Sequence, residues 1–359
     1  MKRIVATFPI GVRTNPPKVG LSITPLIAQI MARKTDSRFI LAANSLDSFG
    51  ERKQFLKPLL SYLESMNVIP DEVWHDDDNR EKLQFNVKLL IEKRFISQSH
   101  TSVLRCSCGK VEMLVGSKTH PGARLYQENN GKLICQCGTA CECYTDNVLV
   151  MKFPDGIIHP LVAPNLMKKE VYDLLSRISG MEYLVSRTRS TPISVEISGK
   201  KYWVDVDFSW LTYLSLLNAD QRIIVGSNHV AWHLCMSHVL SQCLGIPGFE
   251  NNVLVLSPYV YSSKDFSPER AIKENGNEVD LFLPLYLLLS LAWSRKDSEW
   301  SKHYATYLKR IGRAKQLNLL QQLHVSQSSV KIDELVLREL VSSINPQNIV
   351  STKRRSDNG

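Results

Sequence analysis

Ile4-Val5-Ala6-Thr7-Phe8, the Gly/Pro/Asn loop Pro9–Gly20, and Leu21–Arg33 with apolar residues at helical spacing form the stretch on which the fold turns. A short apolar run bounded by turn formers reads as a buried strand, and the amphipathic run after the loop reads as a helix. Ser22 is the expected cap of that helix, and Pro25 is tolerable in its first turn, where an amide hydrogen has no intrahelical partner. The unit then recurs. Phe39–Ala43 reads as a strand, Phe55–Met66 as a helix, Glu72–His75 as a strand and Glu81–Phe95 as a helix. Strands alternating with helices imply parallel pairing, since each helix supplies the crossover that two parallel strands require.

Farther along, a helix is expected near Asn165–Ile178 and a mixed stretch over Tyr183–Asp207. Arg222–Gly226 reads as a buried strand, His229–Leu244 as a helix and Val253–Leu256 as another strand. Beyond Glu278 the pattern is helical to about Ile344, with no strand signal, and the basic end Lys353-Arg354-Arg355 reads as disordered. The expected fold is an α/β, Rossmann-like doubly wound parallel sheet in two halves, residues 1–103 and 146–277. A metal-binding knob over 104–145 splits it; a helical region (278–345) and a disordered basic tail (346–359) follow.

The knob is read from cysteines. Six of the chain's eight fall between Cys106 and Cys143, as Cys106-Ser-Cys108-Gly, Cys135-Gln-Cys137-Gly and Cys141-Glu-Cys143. Gly109 and Gly138 allow tight turns that aim the sulfurs inward. Clustered thiolates suit Zn²⁺ in a closed tetrahedral site. Cys106, Cys108, Cys135 and Cys137 are the expected ligands, with Cys141 and Cys143 as an alternative pair, because six thiolates exceed what one zinc needs. The competing reading is a disulfide cluster, but the chain shows no secretory segment.

Bulk properties narrow the partners. A chain of 359 residues with 43% hydrophobic content can bury a full core. No apolar run approaches the ~18 residues of a membrane span, and Ile4–Phe8 is too short for a signal core, so a cytoplasmic protein is expected. A net charge of +9 and a pI near 9.1 suit a polyanion such as tRNA or a nucleotide.

In a doubly wound sheet, ligands bind beyond the carboxyl ends of the strands, where the order reverses. Three segments are expected to converge there. Pro9–Leu21, shaped by Pro9, Gly11 and Gly20, leads into a helix N-terminus that attracts phosphate, with Lys18 adding charge. At Gly226–His233, Gly226 allows close approach to the backbone, and Asn228 suits a ribose hydroxyl or a helix cap. His229 and His233 lie one turn apart, as metal pairs do, although a pocket wall is the plainer reading. The loop Ser257–Lys264 offers hydroxyls, Ser263 among them, and one cation for a polyphosphate; an exposed loop lysine is the plainer reading. Asp76-Asp77-Asp78 could hold Mg²⁺ but reads more simply as a solvated loop, and Trp203, Trp210 and Trp232 read as core or pocket.

With these segments in order, the chain resembles the catalytic part of a class I aminoacyl-tRNA synthetase over roughly Ile4–Trp293. Gly226-Ser227-Asn228-His229-Val230-Ala231-Trp232-His233 is similar to the Gly-Lys-Asp-Ile-x-x-Phe-His stretch of methionyl-tRNA synthetases. The family's first signature, His-Ile-Gly-His, falls on Lys18-Val19-Gly20-Leu21, where only the glycine survives. The second, Lys-Met-Ser-Lys-Ser, falls near Tyr261-Ser262-Ser263-Lys264-Asp265, where one lysine remains. The resemblance implies ATP with Mg²⁺ and an amino acid as substrates, and tRNA, a small amine or a carrier as acceptor. It implies Lys18 and Lys264 as phosphate-holding catalytic residues, Gly20 and Gly226 admitting adenosine, Asn228 on ribose, and His233 beside Trp232 walling the amino-acid pocket. After Glu278 about eighty residues remain, fewer than most anticodon-reading domains need. The alternative is a non-catalytic relative that keeps the fold to bind tRNA, an aminoacyl group or a protein partner.

Overall fold

A six-stranded parallel sheet carries the fold in the computed structural model. The structure describes residues 3–9, 20–46, 52–65, 68–108, 111–113, 126–129, 132–135, 137–163, 165–187, 191–217, 223–227, 230–257, 259–262 and 297–300. β1 (Arg3–Pro9), α1 (Gly20–Lys34), β2 (Arg38–Asn44), α2 (Arg52–Ser65), β3 (Glu72–His75) and α3 (Arg80–Glu92) alternate as expected. An antiparallel section follows: β4 (Ile96–Arg105), β5 (Val111–Met113), β6 (Tyr126–Asn129), β7 (Lys132–Cys135) and β8 (Glu142–Lys152). The chain returns through β9 (Leu161–Ala163), α4 (Lys168–Ile178), β10 (Glu182–Leu184), β11 (Ser186–Arg187), β12 (Ser194–Ile197), β13 (Lys200–Val204) and α5 (Val206–Leu217). It ends in β14 (Ile223–Ser227), α6 (Ala231–Leu244), β15 (Val253–Ser257), β16 (Tyr259–Ser262) and β17 (Asp297–Trp300).

The main sheet runs β3-β2-β1-β14-β15-β9, every pair parallel. Successive strands step one way from β1 to β3 and the other way from β14 to β15, so the order reverses between β1 and β14. Such a sheet is covered on both faces, which is why its central strands β2, β1, β14 and β15 read as largely apolar runs rather than alternations, whereas the edge strand β3 is half-buried. Ile4, Val5, Ala6, Ile40, Leu41 and Ile224 are all fully buried. α6 is buried almost all round, and its last carbonyls, at Cys243 and Leu244, accept hydrogen bonds from Lys93 Nζ at 3.2 and 2.8 Å. Inside α6, His238 is fully buried; its Nε2 donates to the Ile158 carbonyl at 2.8 Å.

Local chemistry moves several elements from their expected places. α1 begins at Gly20, so Ser22 lies inside the helix and is buried rather than capping it, and Pro25 falls in the second turn. α6 begins at Ala231, with Asn228 and His229 outside the described residues. β17 is a strand within the region expected to be wholly helical, pairing in parallel with β16 from Tyr259↔Asp297 to Ser262↔Trp300. The antiparallel sheet runs β10-β8-β4-β5, and β4 pairs with β8 from Ile96↔Met151 to Arg105↔Glu142. The expected 104–145 span is therefore the outer end of a longer antiparallel unit.

Of the acidic run Asp76-Asp77-Asp78, Asp78 is exposed as a solvated loop would have it, but Asp76 is not. Asp76 is fully buried, and its Oδ1 accepts from Ser45 N (2.6 Å), Ser45 Oγ (2.8 Å) and Leu46 N (2.9 Å). Burial raises its pKa above the usual carboxylate range against those hydrogen bonds. Asp77 pairs with Arg80. Asp76 thus ties the end of β3 to the turn that leaves β2, and among the described residues the run does not gather as a metal site.

Candidate functional site

The reversal point between β1 and β14 is where a crevice forms at the carboxyl ends of a doubly wound sheet. β1 ends at Pro9, α1 starts at Gly20, β14 ends at Ser227, α6 starts at Ala231 and β15 ends at Ser257. Of the residues expected there, the structure brings Pro9, Gly20, Gly226, Trp232 and His233 to these element ends. Trp232 is buried and His233 half-buried in the first turn of α6. Gly11, Lys18, Asn228, Ser263 and Lys264 lie outside the described residues.

Buried hydroxyls that the sequence reading passed over stitch this end together. Thr7 Oγ1 donates to the Val225 carbonyl at 3.3 Å, tying β1 to β14. Ser257 Oγ donates to the Gly226 carbonyl at 3.4 Å and lies 3.2 Å from Thr24 Oγ1, tying β15 to β14 and to α1. The signal was available. Each is a hydroxyl residue within or at the edge of an apolar run, where burial demands a partner.

Gly226 is needed for packing. A Cβ built there would lie 2.6 Å from Leu234 Cδ1 and 3.1 Å from Thr7 Oγ1, so α6 seats directly on β14 through the missing side chain. Gly226→Ala is expected to cost about 1–3 kcal/mol by overpacking. Leu234→Ala alone should cost about 2–5 kcal/mol by leaving a cavity. The double variant should cost clearly less than the sum, because each change relieves the other. Urea unfolding of the four proteins checks this; simple additivity would contradict the contact.

At the outer end of the antiparallel unit, Cys106, Cys108, Cys135 and Cys137 bring their sulfurs within 4.8 Å of one another. Cys106 and Cys137 are 3.3 Å apart, and Cys108 and Cys135 3.8 Å. Four thiolates around a tetrahedral Zn²⁺, with Zn–S near 2.3 Å, stand about 3.8 Å apart, so the donor set and its spacing fit the ion. Gly138, at φ 90°, makes the turn after Cys137 that only glycine takes without strain. The Cys135 amide donates to Thr139 O, and the Gly138 amide to Cys135 O, both at 2.8 Å, closing the loop. Hydrogen bonds from the side chain and backbone of Thr139 lower the Cys137 thiol to about 6, while burial pushes Cys135 up to about 12. A divalent cation bound there would displace thiol protons. Cys141 and Cys143 stand outside the cluster: Cys143 is exposed on β8 opposite Leu104, and the Cys141 amide donates to Leu133 O at 2.7 Å. All eight cysteines are free thiols.

No protein-family profile and no curated protein matches the chain. Solved structures do. A Mycobacterium tuberculosis methionyl-tRNA synthetase in complex with methionyl-adenylate superimposes with a TM-score of 0.62 at 16% identity, over 90% of this chain and 71% of that one. The fold is that of a methionyl-tRNA synthetase. A second structure of the Mycobacterium tuberculosis enzyme bound by methionyl-adenylate gives a TM-score of 0.61 at 13% identity, covering 88% of this chain and 69% of that one. The apo form gives 0.59 at 16% identity, covering 90% and 68%. At these identities the methionyl-tRNA synthetase likeness is one of fold. It agrees with the parallel sheet and with a cysteine cluster able to hold a metal. Among the described residues, no helix is long and apolar enough to cross a membrane.

Proposed function

We propose that this chain is an adenylate-forming enzyme of the class I synthetase type. It activates an amino acid with ATP and passes the acyl group to tRNA, a small amine or a carrier, in the cytoplasm. The observation that carries this reading is the reversal of strand order between β1 and β14 in a sheet shared with synthetases solved with methionyl-adenylate. The amino-acid carboxylate attacks the α-phosphorus, the acyl–phosphate bond forms, and pyrophosphate leaves. Such chemistry asks the protein chiefly for positioning and for cations beside the departing charge. Lys18 and Lys264 hold the phosphates in this reading. Pro9, Gly11, Gly20 and Ser263 shape the adenosine loops, Asn228 bonds ribose, and Trp232 and His233 wall the amino-acid pocket. Gly226 contributes by seating α6. ATP brings Mg²⁺, and a structural Zn²⁺ sits in the four-cysteine cage.

ATP–pyrophosphate exchange across all amino acids tests the proposal: exchange with one amino acid is the expected result. Lys264→Ala should then slow single-turnover adenylation on the order of 100-fold while weakening amino-acid binding far less, because its charge is needed most as pyrophosphate leaves. A second reading rests on Lys18-Val19-Gly20-Leu21, which lacks both histidines of the first signature. In that reading the chain is a non-catalytic relative, and exchange fails while tRNA is still retained.

A further inference from the structure

A second recess lies away from the crevice, on β3, which is separated from β1 by β2. It is a cleft of about 420 Å³ between β3, the first turn of α3 and the end of α5. Trp74, Tyr213 and Leu216 contribute its apolar wall, and His75, Asp78 and Lys82 its polar one. Asp78 and Lys82 stand one helical turn apart, the spacing at which opposite charges meet on a helix. Here they do not. The ion pair of this turn is Arg80–Asp77, and among the described residues neither Asp78 nor Lys82 has an ionic partner. An apolar recess thus opens beside one anion and one cation.

We infer that this cleft binds a free α-amino acid with an apolar side chain, at a site distinct from the β1–β14 crevice. The side chain packs on Trp74, Tyr213 and Leu216, the ammonium group meets Asp78, and the carboxylate meets Lys82. A nucleotide fits less well. The volume is at the small end of ligand pockets, which run from ~300 to ~1,000 Å³, and one lysine beside an aspartate is a poor match for a polyphosphate.

Trp74 gives the cleft its own reporter. Leucine, methionine and phenylalanine are titrated into the full chain while tryptophan emission and binding heat are followed. Their N-acetyl and methyl ester forms, each lacking one charge, serve as controls. At least one free amino acid is expected to change the emission, and Trp74→Phe should abolish that change. Lys82→Gln and Asp78→Asn should each weaken it by about tenfold, as should either blocked form, since each removes a charged hydrogen bond. Leu216→Trp, which fills the cleft, should remove it. The inference is overturned if none of the three changes the emission, if the change survives Trp74→Phe, or if binding is unaltered in Lys82→Gln and Asp78→Asn. These two surface variants keep the test decisive should Leu216→Trp fold poorly. Exchange activity without cleft binding would sink this site and leave the proposed reaction standing.

Discussion

Cys106→Ser is expected to strip the metal from the purified protein, which in its unaltered form should carry about one equivalent of zinc. Structural thiolate sites bind Zn²⁺ with apparent free energies on the order of 10–16 kcal/mol at neutral pH, and that energy is also folding energy. Losing one of four ligands should therefore loosen the turn around Gly138 as well as the ion. Cys135→Ser should behave alike, whereas Cys141→Ser and Cys143→Ser should keep the metal, because neither thiol joins the cluster. Elemental analysis, with limited proteolysis of residues 96–152, reads both effects. Retention by Cys106→Ser together with loss from Cys143→Ser would move the site to the other pair.

The second large effect is one of pH. Burial holds the His238 imidazole down to about 4, outweighing the hydrogen bond to Ile158. In the unfolded chain the same group titrates near ~6.5. The folded protein therefore favours the neutral ring, and the unfolded chain takes up the proton first as pH falls. His238 leaves stability intact above pH ~6.5 and removes it progressively as pH drops toward ~4, by about 3 kcal/mol in all. His238→Gln, which can still donate to the Ile158 carbonyl, should remove this part of the acid dependence. Urea unfolding at intervals from pH ~7 to ~4 measures it. Equal slopes in the two proteins would mean that His238 is already charged in the fold or that the site opens to water.

Comparing these elements with the bare sequence shows which signals are local. The β-α-β order of the first hundred residues was readable because β1 and β2 are largely apolar runs, β3 is a short run between turn formers, and each helix keeps its own period. The clustering of Cys106, Cys108, Cys135 and Cys137 was readable because thiols have few other reasons to gather in sequence. What stayed hidden depended on neighbours distant in sequence. Nothing near Leu161–Ala163 says that it pairs with β15, more than ninety positions later. The stem of the knob reaches back to Ile96 because β8 extends to meet it, although Ile96–Arg105 itself carries polar residues such as Gln98 and Ser99. Asp76 looked like one of three solvated acids, yet Ser45 and Leu46, thirty residues earlier, supply the amides that bury it. Gly226 was legible as a close approach, but the approaching group is Leu234, a helical turn and more away on α6.

The chain enters and leaves the antiparallel unit at one place, although the base of that unit packs into the main core through Ile96, Leu149 and Met151. The chain leaves at Phe95 and comes back at Phe153, and there the Lys152 amide donates to the Phe95 carbonyl at 2.8 Å. A path that departs and returns through adjacent residues adds no crossing to the main sheet. Cutting it out and rejoining the ends with a short linker would leave the order and direction of all six parallel strands unchanged. Of the strands left behind, β10 would lose its ladder, since it pairs with β8. The thiol cage, at the far end of that excursion, can therefore change its chemistry without altering the threading of the main sheet.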